Sequence, residues 1–198
     1  YLWPEKNEKK AARNFKVTLN ALKNALEPNR KARQKPFFIS RHGSSYGLNE
    51  DSSYNYDVEE FEKLINIGEK AEKKEKKIKY YEMAIEKYDD DFVVDKLYLD
   101  WVRNERERLR NKFLNTGDKL IEKYFEVEDY EKCINLCNKI LEIDNCWEKA
   151  YLYKMKSYNQ VDRRSMAIKV YRQCKTTLDR ELNVFPIPKI ERYYKNLL

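Results

Sequence analysis

The chain has 198 residues, 38% of them charged, with a net charge of +7, four cysteines, four glycines and a single histidine. No apolar run reaches the roughly 18 residues of a membrane span, the cysteines at 133, 137, 146 and 174 lack paired spacing, and no glycine-rich phosphate loop is present. This composition argues against a membrane protein, a disulfide scaffold and a nucleotide hydrolase, and fits a reduced, cytoplasmic, helical protein.

The charge is uneven. Residues 1–49 carry eleven Lys/Arg against three acids, so the segment holds +8 and the remainder −1. Such an excess points to an anionic partner for this segment alone or to a basic, flexible arm, and composition leaves both open. The chain opens Tyr1-Leu2-Trp3-Pro4 without an initiating methionine and reads as a fragment.

In chain order, Glu5 to Leu26 is a helical run, stopped at Glu27-Pro28. Within "RNFKVTLNALKNALEP", Phe15, Leu19, Leu22 and Leu26 form one apolar face, and the rest is Arg, Lys, Asn, Thr and Ala. A basic loop, "NRKARQK", follows. Then "PFFIS" and "YGL" flank "RHGSS", the pattern of a hairpin. Residues 50–57 are polar and read as a linker between segments 1–49 and 58–198.

Beyond the linker every apolar pattern is helical. Val58 to Glu72 and Ile78 to Tyr88 come first, then "DDDFVVD", a long run from about Leu97 to Val127, and segments 129–143, 147–160 and 163–182. "FPIP" at 185–188 breaks the pattern before a short final helix. "DYEKCINLCNKILEID" and "DRRSMAIKVYRQCKTTL" superpose with an offset of 34, placing Cys133 on Ala167, Ile134 on Ile168 and Cys137 on Tyr171. A period of 34 residues is the tetratricopeptide signature, with a small residue where two helices cross. Ala84 falls at the same crossing site of an earlier, irregular repeat, and Leu120 and Tyr124 take the usual Leu and Tyr positions. Generic antiparallel helical hairpins are the alternative.

"YDDDFVVDKLYLDWVRNERERL" (88–109), the central repeat and "LDRELNVFPIPKIERYY" (178–194) together resemble the bacterial transcriptional activator domain of antibiotic-regulatory-type regulators, although Asn183 stands where that family usually has Gly. The first 49 residues resemble the end of a response-regulator-type winged helix. "ARNFKVTLNALKNALEP" is similar to its recognition helix, and "FFISRHGSSYGL" to its wing, with the Gly43-to-Tyr46 tip kept. The resemblance implies a mainly α fold: a tetratricopeptide-like helical repeat domain preceded by the recognition helix and β-hairpin wing of a truncated winged helix. It implies a transcription regulator that binds double-stranded DNA, acts through RNA polymerase or a sensor domain, and needs no cofactor.

The residues then sort by role. Arg13, Lys16 and Lys23 place charge on the helix's outer face for phosphates, which Val17 shares. Asn14, Asn20 and Asn24 can hydrogen-bond base edges, and Arg41 or His42 on the wing can reach the minor groove or its phosphates. Arginines common in relatives are replaced by Asn20 and Ala21, so their guanine contacts do not carry over. In the repeats, Asn115, Asp118 and Glu122, then Lys149, Leu152 and Lys156, point into the concave face, with Tyr124 and Tyr158 beneath. That groove suits a peptide or protein segment, or packs on the winged helix. The apolar stripe of the first helix is expected to pack on the helical domain or on a second copy of the chain.

Other features have plain readings. A lone His42 builds no metal cluster or catalytic triad. Cys133 and Cys137, at i and i+4, fill packing sites of the repeat. Asp89-Asp90-Asp91 reads as a cap and turn, and most tyrosines read as core. No catalytic constellation exists. A helical-repeat interaction scaffold or sensor domain without DNA binding of its own is the rival reading.

Overall fold

Asn7 starts the first helix: its side-chain oxygen accepts a 3.0 Å hydrogen bond from the Lys10 amide, capping α1, Glu8–Leu26. The helix begins three residues later than the apolar pattern suggests and stops just before Pro28, where the proline ring disfavours helical geometry in the residue ahead of it. The hairpin follows as β1, Ile39–His42, and β2, Ser45–Leu48, paired antiparallel with His42 opposite Ser45. The turn is therefore only Gly43 and Ser44, with Gly43 at φ 62°, a conformation that costs glycine nothing. Arg41, His42 and Ser45, grouped with the turn on sequence, are strand residues.

The structure is a computed structural model that describes residues 3–31, 33–53, 56–88 and 100–198. The chain divides into two compact units, Tyr1–Asn55 and Tyr56–Leu198. The acidic run at 89–91 and the first half of the 88–109 motif, residues 89–99, lie outside the described residues.

The second unit is a stack of helix pairs: α2 (Asp57–Lys70) with α3 (Lys74–Lys87), α4 (Asp100–Glu126) with α5 (Tyr130–Ile143), and α6 (Glu148–Gln160) with α7 (Arg164–Leu182), closed by α8 (Pro188–Asn196). Pro188 opens α8, where its missing N–H has no helical partner to lose. Inside each of the last two pairs the chain turns through a left-handed residue, Glu128 at φ 62° and Asp162 at φ 57°. These two are 34 positions apart, so the repeat period is written in the backbone as well as in the side chains. Asn183 ends α7 in the same left-handed region, φ 54° and ψ 42°. Asn tolerates that region better than other non-glycine residues, which accounts for its standing in a glycine position.

The crossing sites hold as the sequence places them. Ala84, Cys133 and Ala167 have no exposed surface. The Cys133 thiol lies 3.9 Å from the Ile121 carbonyl of the paired helix. Leu120, Ile121, Ile140 and Phe113 fill the centre of one apolar cluster, and Met155, Val170, Leu178 and Ile190 that of the next. Each such side chain contributes on the order of 1.5–3 kcal/mol by leaving water.

Candidate nucleic-acid interface and helical groove

In the first unit, one aromatic ring organises the charged face. Tyr46 of β2 packs 5.7 Å from Phe15 of α1, with the Lys23 ammonium 5.0 Å and the Arg41 guanidinium 5.8 Å from the ring centre. Two cations, one from the helix and one from the hairpin, are thereby held against one ring face or edge. Arg41 is fixed further by donating to the Gly43 carbonyl at 2.8 Å. His42 Nε2 and the Ser40 hydroxyl lie 2.7 Å apart. Asn24 accepts from Arg30 at 3.1 Å. Arg13, Lys16, Val17 and Asn20 are exposed on α1, and Asn14 and Lys23 are half-buried.

Glu27 has a role the sequence did not reveal. Its Oε1 accepts from the backbone amides of Phe37 at 2.7 Å and Phe38 at 3.1 Å. The carboxylate ties the end of α1 to the start of the hairpin by two charge-assisted bonds. The apolar stripe is not buried: no residue of α1 is, and Leu22 and Leu26 keep 46% and 41% of their surface exposed.

In the second unit, α2, α4, α6 and α8 carry matching triplets, mostly polar, at i, i+4 and i+7. These are Glu62, Asn66 and Glu69 on α2; Asp118, Glu122 and Phe125 on α4; Lys149, Tyr153 and Lys156 on α6; and Lys189, Tyr193 and Asn196 on α8. The acids of one helix are answered by bases on the next. Glu62 pairs with Arg108 and with Lys112, and Glu69 with Lys119 at 2.5 Å. Lys149 bridges Glu122 at 2.8 Å and Asp118 at 3.5 Å. The other Asp118 oxygen accepts from the Trp147 indole at 2.8 Å. Burial pushes the Asp118 carboxyl up, and neither Trp147 nor Lys149 fully offsets it.

Three sequence assignments change here. Leu152 does not line the groove: it is 2% exposed and sits in the second core cluster. It lies three residues past Lys149, on the flank that meets α7, whereas Tyr153, four residues past it, takes the open position. Tyr124 is not the groove floor either. It is buried against α3, its hydroxyl donating to Glu82 at 2.7 Å, and it borders a cleft of about 460 Å³ shared with Glu86, Lys132 and Lys139. And the opposed walls of Asp118, Glu122 and Lys149 are an internal lock rather than open charge. Asn115 stays exposed.

Cys133 and Cys137 are fully buried, and burial drives the Cys137 thiol well above its ordinary range, as for a packing group. Among the described residues no three His, Cys, Asp or Glu side chains gather as metal ligands, and no helix is long and apolar enough to cross a membrane.

The profile of the bacterial transcriptional activator domain matches residues 56–198. The chain belongs to this family. Among solved structures it is similar to Mycobacterium tuberculosis EmbR, determined in complex with a low-affinity phosphopeptide, at TM-score 0.70 and 18% identity over 99% of this chain and 52% of that one. The chain thus spans about half the length of that relative. It is also similar to the C-terminal TPR-containing domain of a Plasmodium falciparum FK506-binding protein, at TM-score 0.50 and 17% identity, covering 72% of this chain and 91% of that one. At these identities the likeness is one of fold. No curated protein matches the chain in sequence. The family is one of transcription activators, and the helical-repeat architecture read from the 34-residue period is the architecture observed.

Proposed function

We propose that the chain is the DNA-reading and regulatory part of a cytoplasmic transcription regulator. In this reading residues 1–49 are the recognition helix and wing of a response-regulator-type winged helix, and the helical unit makes the protein contacts that activate transcription. The observation that carries it is the Tyr46 assembly, which holds Lys23 of α1 and Arg41 of the hairpin on one ring beside exposed Arg13, Lys16 and Asn20. Helix in the major groove, hairpin on the backbone: this pairing needs both elements braced together. Phosphate contacts by Arg13, Lys16, Lys23 and Arg41 supply affinity, while Asn14, Asn20 and Asn24 face bases. Val17 is the apolar contact available to a thymine methyl. His42 approaches the backbone from the hairpin tip.

The exposed apolar stripe supports the same reading, because in a winged helix that face packs on the remainder of the domain. A protein partner for the helical unit, such as RNA polymerase or a sensor domain, is supported by the family. The test is binding of the full-length protein to its promoter DNA. Asn20→Ala should change which sequences are preferred. An unchanged preference would remove Asn20 from the reading set.

A further inference from the structure

Arg30, in the loop after α1, is held on three sides. Its side chain keeps 16% of its surface. Nη1 donates to the Gln34 carbonyl at 2.8 Å, and Nη2 donates to the Asn24 Oδ1 at 3.1 Å. Nε lies 3.7 Å from Oε2 of Glu27, whose other oxygen holds the Phe37 and Phe38 amides. One guanidinium thus ties α1 to the loop after it and to the carboxylate that anchors the hairpin.

This contact fixes what Asn24 can offer. A guanidinium carries five donors and no acceptor. The Asn24 atom that faces it is therefore the carbonyl oxygen, and the amide cannot be turned over without losing the bond. Asn24 is exposed on α1, and its Nδ2 donors meet no acceptor among the described residues. A cation on Oδ1 also polarises the amide and strengthens those donors. Asn14 and Asn20 have no side-chain partner among the described residues, so either end of their amides is free to turn outward.

We infer that Arg30 is a specificity-determining positioning residue: it fixes Asn24 as a hydrogen-bond donor toward the base edge, so that cytosine is rejected at the position Asn24 meets. In the major groove guanine offers the acceptors N7 and O6, adenine N7 and thymine O4, whereas cytosine offers only its N4 donors. Nδ2 against N4 sets donor against donor, and neither group then has a partner. The inference rests on the reading of residues 1–49 as a recognition helix and wing, and it names what one position of that helix selects.

The experiment is the selection of binding sites from a randomised duplex pool by the full-length protein. It is run in parallel for the parent, Asn24→Ala, Arg30→Lys and the variant carrying both. Asn24→Ala should flatten the preference at one position, which marks the base that Asn24 meets. The parent should select against cytosine there. Arg30→Lys keeps the charge but loses the fork that holds the amide. It should raise cytosine at that position roughly tenfold and leave the other positions and the salt slope as in the parent. Combined with Asn24→Ala it should add nothing. Nuclear relaxation of the Asn24 side-chain amide in the free protein gives a reading independent of DNA: rigid in the parent, mobile in Arg30→Lys. An Arg30→Lys profile identical to the parent's, a change spread over every position, or cytosine accepted by the parent at the marked position would each overturn the inference. A parent that binds DNA selectively with an amide as mobile as in Arg30→Lys overturns this inference alone. A parent with a rigid amide that binds no DNA overturns the DNA-reading assignment of residues 1–49, and this inference with it.

Discussion

The Lys149 ammonium of α6 reaches the Glu122 carboxylate of α4 at 2.8 Å. This bond closes a cluster that also holds Asp118 and the Trp147 indole. It converts what sequence presents as two facing walls of free charge into a joint between successive repeats. Its members differ in exposure: the Asp118 side chain keeps 15% of its surface and that of Glu122 41%.

That difference makes a prediction. Asp118→Ala strands the Trp147 N–H and half of the Lys149 contact in a partly buried place, and should lower unfolding free energy by about 1–3 kcal/mol. Glu122→Ala removes a half-exposed ion pair and should cost under about 1 kcal/mol. Denaturant unfolding of both variants decides it. Equal losses would show that the cluster is a surface pair and not a joint.

Gly68 predicts the sign of a substitution that helix propensity alone gets wrong. A Cβ there would lie 2.7 Å from two carbons of the Tyr81 ring and 3.4 Å from the Tyr80 Cβ. Alanine gains at most about 1 kcal/mol of helix propensity, whereas forcing a carbon into a packed contact costs about 1–3 kcal/mol. Tyr81 is 4% exposed and has little room to retreat. Gly68→Ala should therefore destabilise the helical unit by about 1 kcal/mol, measurable as a lower melting temperature. A stabilised variant would mean that α2 and α3 can part freely.

Glu62 sets a pH dependence. Burial raises its pKa, but hydrogen bonds from Lys112 and Arg108 outweigh burial and leave it below the ordinary carboxylate range. A lowered folded pKa means that the unfolded chain takes up its proton first on acidification. The contribution of Glu62 is thus fully present above about pH 4.3, the ordinary glutamate value, and is lost as pH falls through its folded pKa. Glu62→Gln should be less stable than the parent at neutral pH and should lose less on acidification. Parallel pH curves for the two proteins would show that Glu62 is not anchored.

Sequence made the helical unit legible because its signals are local. The crossing residues Ala84, Cys133 and Ala167, the period of 34 and the breaking prolines at 186 and 188 are each set by the chain's own neighbours. Side-chain direction at the groove was legible only in part. Lys149 does meet Asp118 and Glu122, but Leu152 is buried and Tyr153 stands at the position expected for it, a rotation of a single residue that a 3.6-residue period barely distinguishes. Partner choice was not legible. Whether Lys149 is free or paired depends on α4 and α6 lying side by side, a tertiary fact. The same holds for Glu27, whose sequence neighbours give no hint that its carboxylate binds amides ten and eleven residues ahead.

The central claim is that the basic helix and hairpin bind DNA through phosphates while named asparagines face the bases. The most direct measurement is the salt dependence of DNA affinity for the full-length protein, compared with that of the Lys16→Ala, Lys23→Ala double variant. Each lysine that neutralises a phosphate contributes about one unit to the slope of log affinity against log salt. The account predicts a slope shallower by about 2 in the double variant, with the same order of preference among DNA sequences. An unchanged slope, or a protein with no salt-dependent DNA affinity at all, would contradict it.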